Sequence, residues 1–236
     1  MEERISVYEL IRNLPLFKGT GRDHISRFVE KVPVRLETLE KDEKILSPDE
    51  DCEGLIFLLR GAVKIKNYVK FEDRAGHHRE SLLIEEVRNE GSILGLDRMF
   101  GLYRQEGREI RAFEQCTIMK INKSELLNLV KGDNIYLFNV LNYLSLRNQR
   151  CYMAVRRYRP GKLRELLACY VDILTERNYR LIKISSNMRF WRLLTGKTYV
   201  RLQKEFHEMI EEGLLEETHD GYILTSREQF LKTLND

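Results

Sequence analysis

Nowhere in the chain do the roughly 18 consecutive apolar residues that a membrane-spanning helix needs run together, so a helical transmembrane protein is excluded. The first residues, MEERISVYELIRNL, carry acids at once and no apolar run before a small-residue cleavage site. A signal peptide is therefore not expected, and the cytoplasm is the expected location. Among the four cysteines, Cys52, Cys116, Cys151 and Cys169, no two form a CxxC pair. Zinc-ribbon and iron–sulfur spacings are thus missing, leaving reduced, mostly buried thiols as the expectation. There is no repeat of fixed period and no low-complexity tract. Two long segments lack acid altogether. From Asn134 to Arg164 there is no Asp or Glu, and from Lys183 to Lys204 there is none again.

Those acid-free segments are basic. The first carries Arg147, Arg150, Arg156, Arg157, Arg159, Lys162 and Arg164, and the second carries Lys183, Arg189, Arg192, Lys197, Arg201 and Lys204. Acids elsewhere bring the formal net charge down to +3 over 236 residues. Such clustering is the electrostatic footprint of a polyanion partner, or else of two solvated basic faces. With 42% hydrophobic and 33% charged residues, the composition is that of a globular protein long enough for two cores.

Residues 3–14 have Ile5, Tyr8, Leu10, Ile11 and Leu14 at helical spacing, stopped by Pro15, and residues 21–31 read as a second short helix. From about 32 to 121, short Val-, Ile-, Leu- and Phe-rich runs alternate with turn residues. The runs are Leu55–Leu59, Ala62–Val69, Ser81–Val87, Glu109–Phe113 and Cys116–Ile121. Breaks fall at Pro48-Asp49, Arg60-Gly61, Ala75-Gly76, Glu90-Gly91 and Gly101. This texture predicts an antiparallel sandwich or barrel.

From Ser124 the period becomes helical. Between Ile135 and Tyr158 there is neither Pro nor Gly, and Leu137, Leu141, Leu144, Asn148, Cys151, Val155 and Tyr158 step alternately by four and three. That is a heptad stripe, and it predicts a long helix paired with a copy of itself, with Asn148 as a polar register device. The competing reading is a helix that buries one face on its own barrel. Arg159-Pro160-Gly161 breaks the helix and marks a boundary. Beyond it, Leu163, Leu167, Tyr170, Val171 and Leu174 mark a further amphipathic helix, and residues 180–184 read as a strand. The expected segments are thus 1–132, a β domain; 133–159, a dimerisation helix; and 160–236, a second domain.

The last domain carries the strongest pattern. Asn187 can cap a short helix with Phe190, Leu193 and Leu194 as its apolar face, and Thr195-Gly196-Lys197 makes a tight turn. Thr198 then caps a helix that buries Leu202, Phe206, Met209 and Ile210 and ends at Gly213. Two short helices about a Gly-containing turn predict a helix-turn-helix. The second helix is basic in its first half, at Arg201 and Lys204, and acidic in its second, at Glu205, Glu208, Glu211 and Glu212. A recognition helix enters the major groove N-terminus first, so this polarity suits duplex DNA. The apolar runs around His219-Asp220-Gly221 predict a hairpin wing. A generic three-helix protein-binding module is the alternative.

The order of these parts resembles the cyclic-AMP receptor/FNR family of bacterial regulators. The likeness runs through LPLF (14–17), RGAVKI (60–65), GSILG (91–95), the long helix and EMIEEGLL (208–215). It implies an α+β fold: an N-terminal antiparallel β-roll of the jelly-roll, cyclic-nucleotide-binding type, a long dimerisation helix and a C-terminal winged helix-turn-helix. It implies a homodimeric transcription regulator of double-stranded DNA, with an effector in the roll, RNA polymerase as a further candidate partner and no membrane association. The expected pocket comprises Leu94, Gly95, Leu96, Glu106, Gly107 and Arg108. Family members that bind cyclic nucleotides use a Gly-Glu pair and an Arg-Ser pair. Here Leu96 stands for the first acid and Glu106-Gly107 for Arg-Ser, although a two-residue shift brings Arg104 or Arg108 to that place. A carboxylate facing phosphate is repulsive, so cyclic AMP is not the expected effector. No cysteine precedes Cys52, against the family's iron–sulfur members, and His24, His77, His78, His207 and His219 leave haem open; no cofactor is assigned.

The family's reading helix commonly runs Ser-Arg-Glu-Thr-Val-x-Arg, whereas this chain has TYVRLQK (198–204), so the docking carries over but the preferred base sequence does not. The expected DNA-binding residues are Arg189, Lys197, Thr198, Tyr199, Val200, Arg201, Gln203 and Lys204. Lys197 and Arg201 are expected on phosphate, and Tyr199, Gln203 and Lys204 on base edges; Tyr199 and Val200 suit thymine methyls. The dimer-helix set is Leu137, Leu141, Leu144, Asn148, Cys151 and Val155. No catalytic or metal residue is assigned and the chain is not read as an enzyme. A cupin-like metal enzyme would have only the His77-His78 pair, whose neighbours on a strand point to opposite faces. The other rival is a ligand-sensing module that binds protein and not DNA.

Overall fold

The computed structural model describes residues 7–48, 50–72, 79–100, 102, 107–159 and 161–232. The expectations resting on His77, His78, Arg104, Glu106 and Pro160 lie outside the described residues. In chain order the elements are α1 (Val7–Arg12), a 3-10 turn (Pro15–Phe17), α2 (Arg22–Lys31), β1 (Arg35–Leu39), β2 (Lys44–Leu46), β3 (Gly54–Arg60), β4 (Ala62–Glu72), β5 (Arg79–Asn89), β6 (Ile93–Leu94), β7 (Arg108–Ala112) and β8 (Cys116–Asn122). They continue as α3 (Lys123–Gly132), α4 (Asn134–Arg157), α5 (Leu163–Leu174), β9 (Tyr179–Ser186), α6 (Met188–Thr195), α7 (Tyr199–Glu211), β10 (Leu215–Thr218), β11 (Gly221–Leu224) and α8 (Arg227–Lys232). Among the described residues no helix is long and apolar enough to cross a membrane.

The chain forms two compact units. The first comprises Met1–Lys64 and Arg88–Arg147, and the second comprises Ile65–Val87 and Asn148–Asp236. In the first unit a four-stranded antiparallel sheet runs β1-β8-β3-β6, with Phe57 opposite Met119 on one side and Ile93 on the other. The strand β3 (GLIFLLR) is buried from Leu55 to Leu59, as a strand covered on both faces must be. Its inward residues meet Ile11, Leu14, Phe17 and Phe28 from the N-terminal helices and Tyr136 and Val140 from α4. Phe17 packs edge-on against Phe28 at 4.7 Å and against Tyr136 at 5.6 Å. The LPLF motif is thus core: Leu14, Leu16 and Phe17 are each 1% exposed.

The second unit is the winged domain with an addition. Its sheet runs β10-β11-β9-β5-β4, so the long β4–β5 strand pair joins the strands of the wing. Leu82 and Ile84 of β5 share one core with Leu167 and Val171 of α5, Ile182 and Ile184 of β9, Trp191, Phe206 and Phe230. Residues 65–87, expected within the segment 1–132, pack with the C-terminal unit, and α4 divides between the units at Arg147/Asn148. Beside β9 in the sheet, β5 widens the apolar face on which the helices of this unit pack, and Leu82 and Ile84 are its contribution to that core.

Candidate nucleic-acid interface

The turn between α6 and α7 is built by local hydrogen bonding. The Asn187 side chain accepts from the Phe190 backbone N–H at 2.8 Å, which caps α6. The helix ends on Gly196, in the left-handed region at φ 69°, whose N–H reaches the Arg192 carbonyl. Thr198 then caps α7 through its hydroxyl, which accepts from Arg201 N–H at 3.4 Å. Each such cap stabilises a helix start by about 1 kcal/mol. The far end of α7 closes with Leu214 N–H on Met209 O and Gly213 N–H on Ile210 O, the paired bonds of a glycine-terminated helix.

Packing fixes which face of α7 points out. Leu202, Phe206 and Met209 are buried, and Phe206 stacks on Tyr222 of the wing strand β11 with centroids 4.7 Å apart. In α6 the buried pair is Phe190 and Trp191, whose indole N–H donates to Ser186 Oγ at 2.6 Å. Leu193, expected on the apolar face, is 61% exposed; with 3.6 residues per turn the inward stripe is 190, 191 and 194, and 193 falls outside it.

Outward on the first half of α7 are Tyr199, Val200, Arg201, Gln203 and Lys204, and on its second half His207, Glu208 and Glu211. Val200 is 75% exposed, an apolar residue left in solvent. Arg189 and Thr198 are exposed beside them, and a shallow cleft of about 480 Å³ between the helices is lined by Arg189, Arg192, Leu193, Lys197 and Tyr199. Arg192 and Leu193 also belong to this surface, beyond the DNA-binding residues expected from the sequence. The wing is a two-residue hairpin with Thr218 opposite Gly221, its tip held by Asp220 on Lys183. That ion pair, with the lysine donating a hydrogen bond, holds the exposed Asp220 carboxyl below its ordinary value.

Lys197 differs from the other cations. Its Nζ lies 2.6 Å from both carboxylate oxygens of Glu205, with only 15% of its side chain exposed. Arg201 Nε is 3.5 Å from the same carboxylate, yet its side chain is 72% exposed. Lys204 is similarly free to move, with Glu208 at 3.7 Å.

The expected effector-pocket residues have mixed placements. Leu94 and Leu96 are buried, and Leu96 belongs to the core of the first unit. Arg108 is buried, with Nη2 3.3 Å from Asp97 Oδ1, while Arg147 Nη2 on α4 lies 3.1 Å from Asp97 Oδ2. Burial, the largest single influence, would raise the Asp97 carboxyl, but Arg108, Arg147, a backbone hydrogen bond and Arg98 together hold it below its ordinary value. Asp97 thus joins the loop after β6 to the long helix inside one unit. Among the described residues no group of three or more His, Cys, Asp or Glu side chains could hold a metal ion.

On α4 the exposed large apolar residues are Phe138, Leu141, Leu146, Tyr152, Met153 and Val155, with Asn148 also exposed. Leu137, Leu144 and Cys151 of the expected stripe are half-buried. An exposed line therefore runs 138, 141, 145, 148, 152, 155, apolar at Phe138, Leu141, Tyr152 and Val155 and polar at Ser145 and Asn148; it keeps the alternating three-and-four step and shares Leu141, Asn148 and Val155 with the expected one.

No protein-family model matches the chain, and no curated protein sequence does. Among solved structures, the catabolite activator protein of Thermus thermophilus is 14% identical, with 93% of this chain and 97% of that one covered and a TM-score of 0.48. The sensor domain of the transcriptional regulator DNR from Pseudomonas aeruginosa is 18% identical over 59% of this chain and 91% of its own, with a TM-score of 0.45. A transcriptional regulator from Thermotoga maritima is 20% identical over 53% and 89%, with a TM-score of 0.42.

Proposed function

We propose that this protein is a sequence-specific, double-stranded-DNA-binding transcription regulator that acts as a homodimer, with the N-terminal roll as its effector-sensing part. The observation that carries this reading is the outward face of α7. Behind a capped turn, Tyr199, Val200, Arg201, Gln203 and Lys204 stand in solvent around the positive end of the helix dipole. A helix end that shows cations, an amide and an apolar residue together has the mixture that phosphates, base edges and thymine methyls require. Arg189 and Arg192 on α6 flank it, in reach of the adjoining backbone. The homodimer rests on the exposed Phe138, Leu141, Tyr152 and Val155 of α4, which a second copy of that helix would cover. For the effector, Arg108 and Arg147 about Asp97 mark a place where a ligand could act on α4.

Selection of bound fragments from random duplex DNA tests the reading. A palindrome with half-sites about one helical turn apart is expected. Binding that shows no salt dependence, or no duplex binding at all, would sink it.

A further inference from the structure

Of the cations around the α6–α7 turn, the one nearest the start of the recognition helix is held inward. Lys197 gives two hydrogen bonds of 2.6 Å to Glu205, the seventh residue of α7, and both side chains are largely shielded from solvent. Glu205 is also the only acid in the first eight residues of α7, and it approaches Arg201 as well. A partly buried pair of this kind is screened less by salt than a surface one. For Lys197 to reach a phosphate, it would have to leave two short charge-assisted bonds and abandon Glu205 beside the DNA polyanion. Arg201 faces no such barrier, since its single contact is 3.5 Å long and its side chain is mostly in solvent.

We propose that Glu205 is a positioning residue that keeps Lys197 off the DNA backbone, limits the charge offered to any duplex, and so lowers binding to unrelated sequences. This rests on the DNA-binding reading above and deepens it. It also assigns Lys197 a role different from the phosphate contact expected from the sequence. The pair braces the turn against α7, so discrimination falls to the outward groups that touch base edges. Removing the carboxylate while keeping its shape should release one more cation to phosphate.

The test is the slope of log affinity against log salt for a mixed-sequence duplex of about 30 base pairs, which needs no known operator. Each phosphate contact contributes about 0.9 to that slope. The Glu205→Gln protein should bind this duplex more tightly at low salt and show a slope steeper than the wild type by about 0.9. Between 50 and 200 mM salt it should then lose roughly three- to fourfold more affinity than the wild type does. The Lys197→Met/Glu205→Gln double variant should return to the wild-type slope. If Lys197 already contacts phosphate, Glu205→Gln will match the wild type and the double variant will fall about 0.9 below it, and the proposal is overturned. In the wild type, the ammonium signal of Lys197 in NMR spectra should keep its carboxylate-bonded shift when duplex is added; a change of partner overturns the proposal without any variant. A wild type that binds no duplex overturns the DNA reading itself, and the role of Glu205 with it; a wild type that binds with unaltered variants overturns only the latter.

Discussion

Arg227 Nη2 lies 2.5 Å from Asp172 Oδ1, and Arg227 is only 3% exposed. The first residue of α8 is thereby anchored to the last turn of α5. Arg227 Nε also donates to Thr175 Oγ1 at 3.0 Å, and its backbone N–H donates to Tyr179 Oη. Arg150, on the second half of α4, joins from the other side by donating to the carbonyls of Asp172 and Thr175 and to Glu176. Glu86 of β5, wholly buried, accepts from the Glu176 backbone N–H at 2.5 Å. One polar cluster thus ties the β4–β5 strand pair, α4, α5 and α8 into the winged unit.

Breaking this cluster at its centre should be costly. Arg227→Met leaves Asp172 with Arg150 Nη2 at 3.8 Å as its remaining cation. A destabilisation of about 3 kcal/mol is expected, since one half of a buried ion pair is left behind. Trp191 is the only tryptophan and is 1% exposed in the same unit, so its fluorescence in urea reports the loss directly. A midpoint unchanged from the wild type would show that the cluster adds nothing to stability.

Asp97 links stability to pH in the first unit. Its folded carboxyl titrates below the ordinary value of 3.8, so its contribution is complete above that value and is lost as pH falls through the lower folded one. Asp97→Asn should cost about 3 kcal/mol at pH 7, because Arg108 and Arg147 lose their shared partner in a shielded place. The gap between variant and wild type should begin to narrow as pH falls below about 3.8 and close once it passes the lower folded value, where the wild-type carboxyl is also protonated. Urea midpoints of both proteins across pH 2.5–7 read this out, and a gap that stays constant would contradict it.

The parts legible in the sequence are those fixed by neighbours along the chain. Asn187, Gly196, Thr198 and Gly213 act within four residues of themselves, and their caps and turns stand where the residue types place them. The placement of residues 65–87 was not legible, because β5 pairs with β9 about a hundred residues on and its alternating Leu82 and Ile84 suit any half-buried sheet. The seam of α4 was legible only in period. Both 137/144/151 and 138/145/152 complete a heptad with 141, 148 and 155, and the choice depends on the burial of Tyr136 and Val140, which rotates the helix. Lys197 lies in the turn before α7, so the helical period that would align residues eight apart does not apply to it and Glu205.

The exposed line of α4 makes a prediction about assembly. Tyr152 is 62% exposed, Leu141 is 51% exposed, and in the proposed dimer both enter a coiled-coil seam. Leu141→Glu/Tyr152→Glu should weaken self-association by at least about a hundredfold, as charge replaces two central apolar contacts. Sedimentation equilibrium should then show monomers where the wild type is dimeric. The Leu137→Ala variant should disturb association far less, because that side chain is half-buried in its own subunit. Equal effects from the two changes would place the seam on the other face.

Outward cations of α7 and the groups proposed to read bases should separate in their effects on DNA. Arg201→Ala removes a mobile charge, and is expected to lower affinity for selected and mixed sequences alike while reducing the salt slope by about 0.9. Gln203→Ala removes an exposed amide and no charge, so the slope should stay the same. What it should lose is discrimination: about 1–3 kcal/mol between the preferred and substituted base pair at one position of each half-site. Lys204→Ala should combine the two signs, since an ammonium can meet either a guanine edge or a phosphate. Competition binding with the selected palindrome and its single-base variants, at two salt concentrations, distinguishes these outcomes. If Gln203→Ala weakened every sequence equally, α7 would be anchoring the protein to the backbone without reading the bases through that residue.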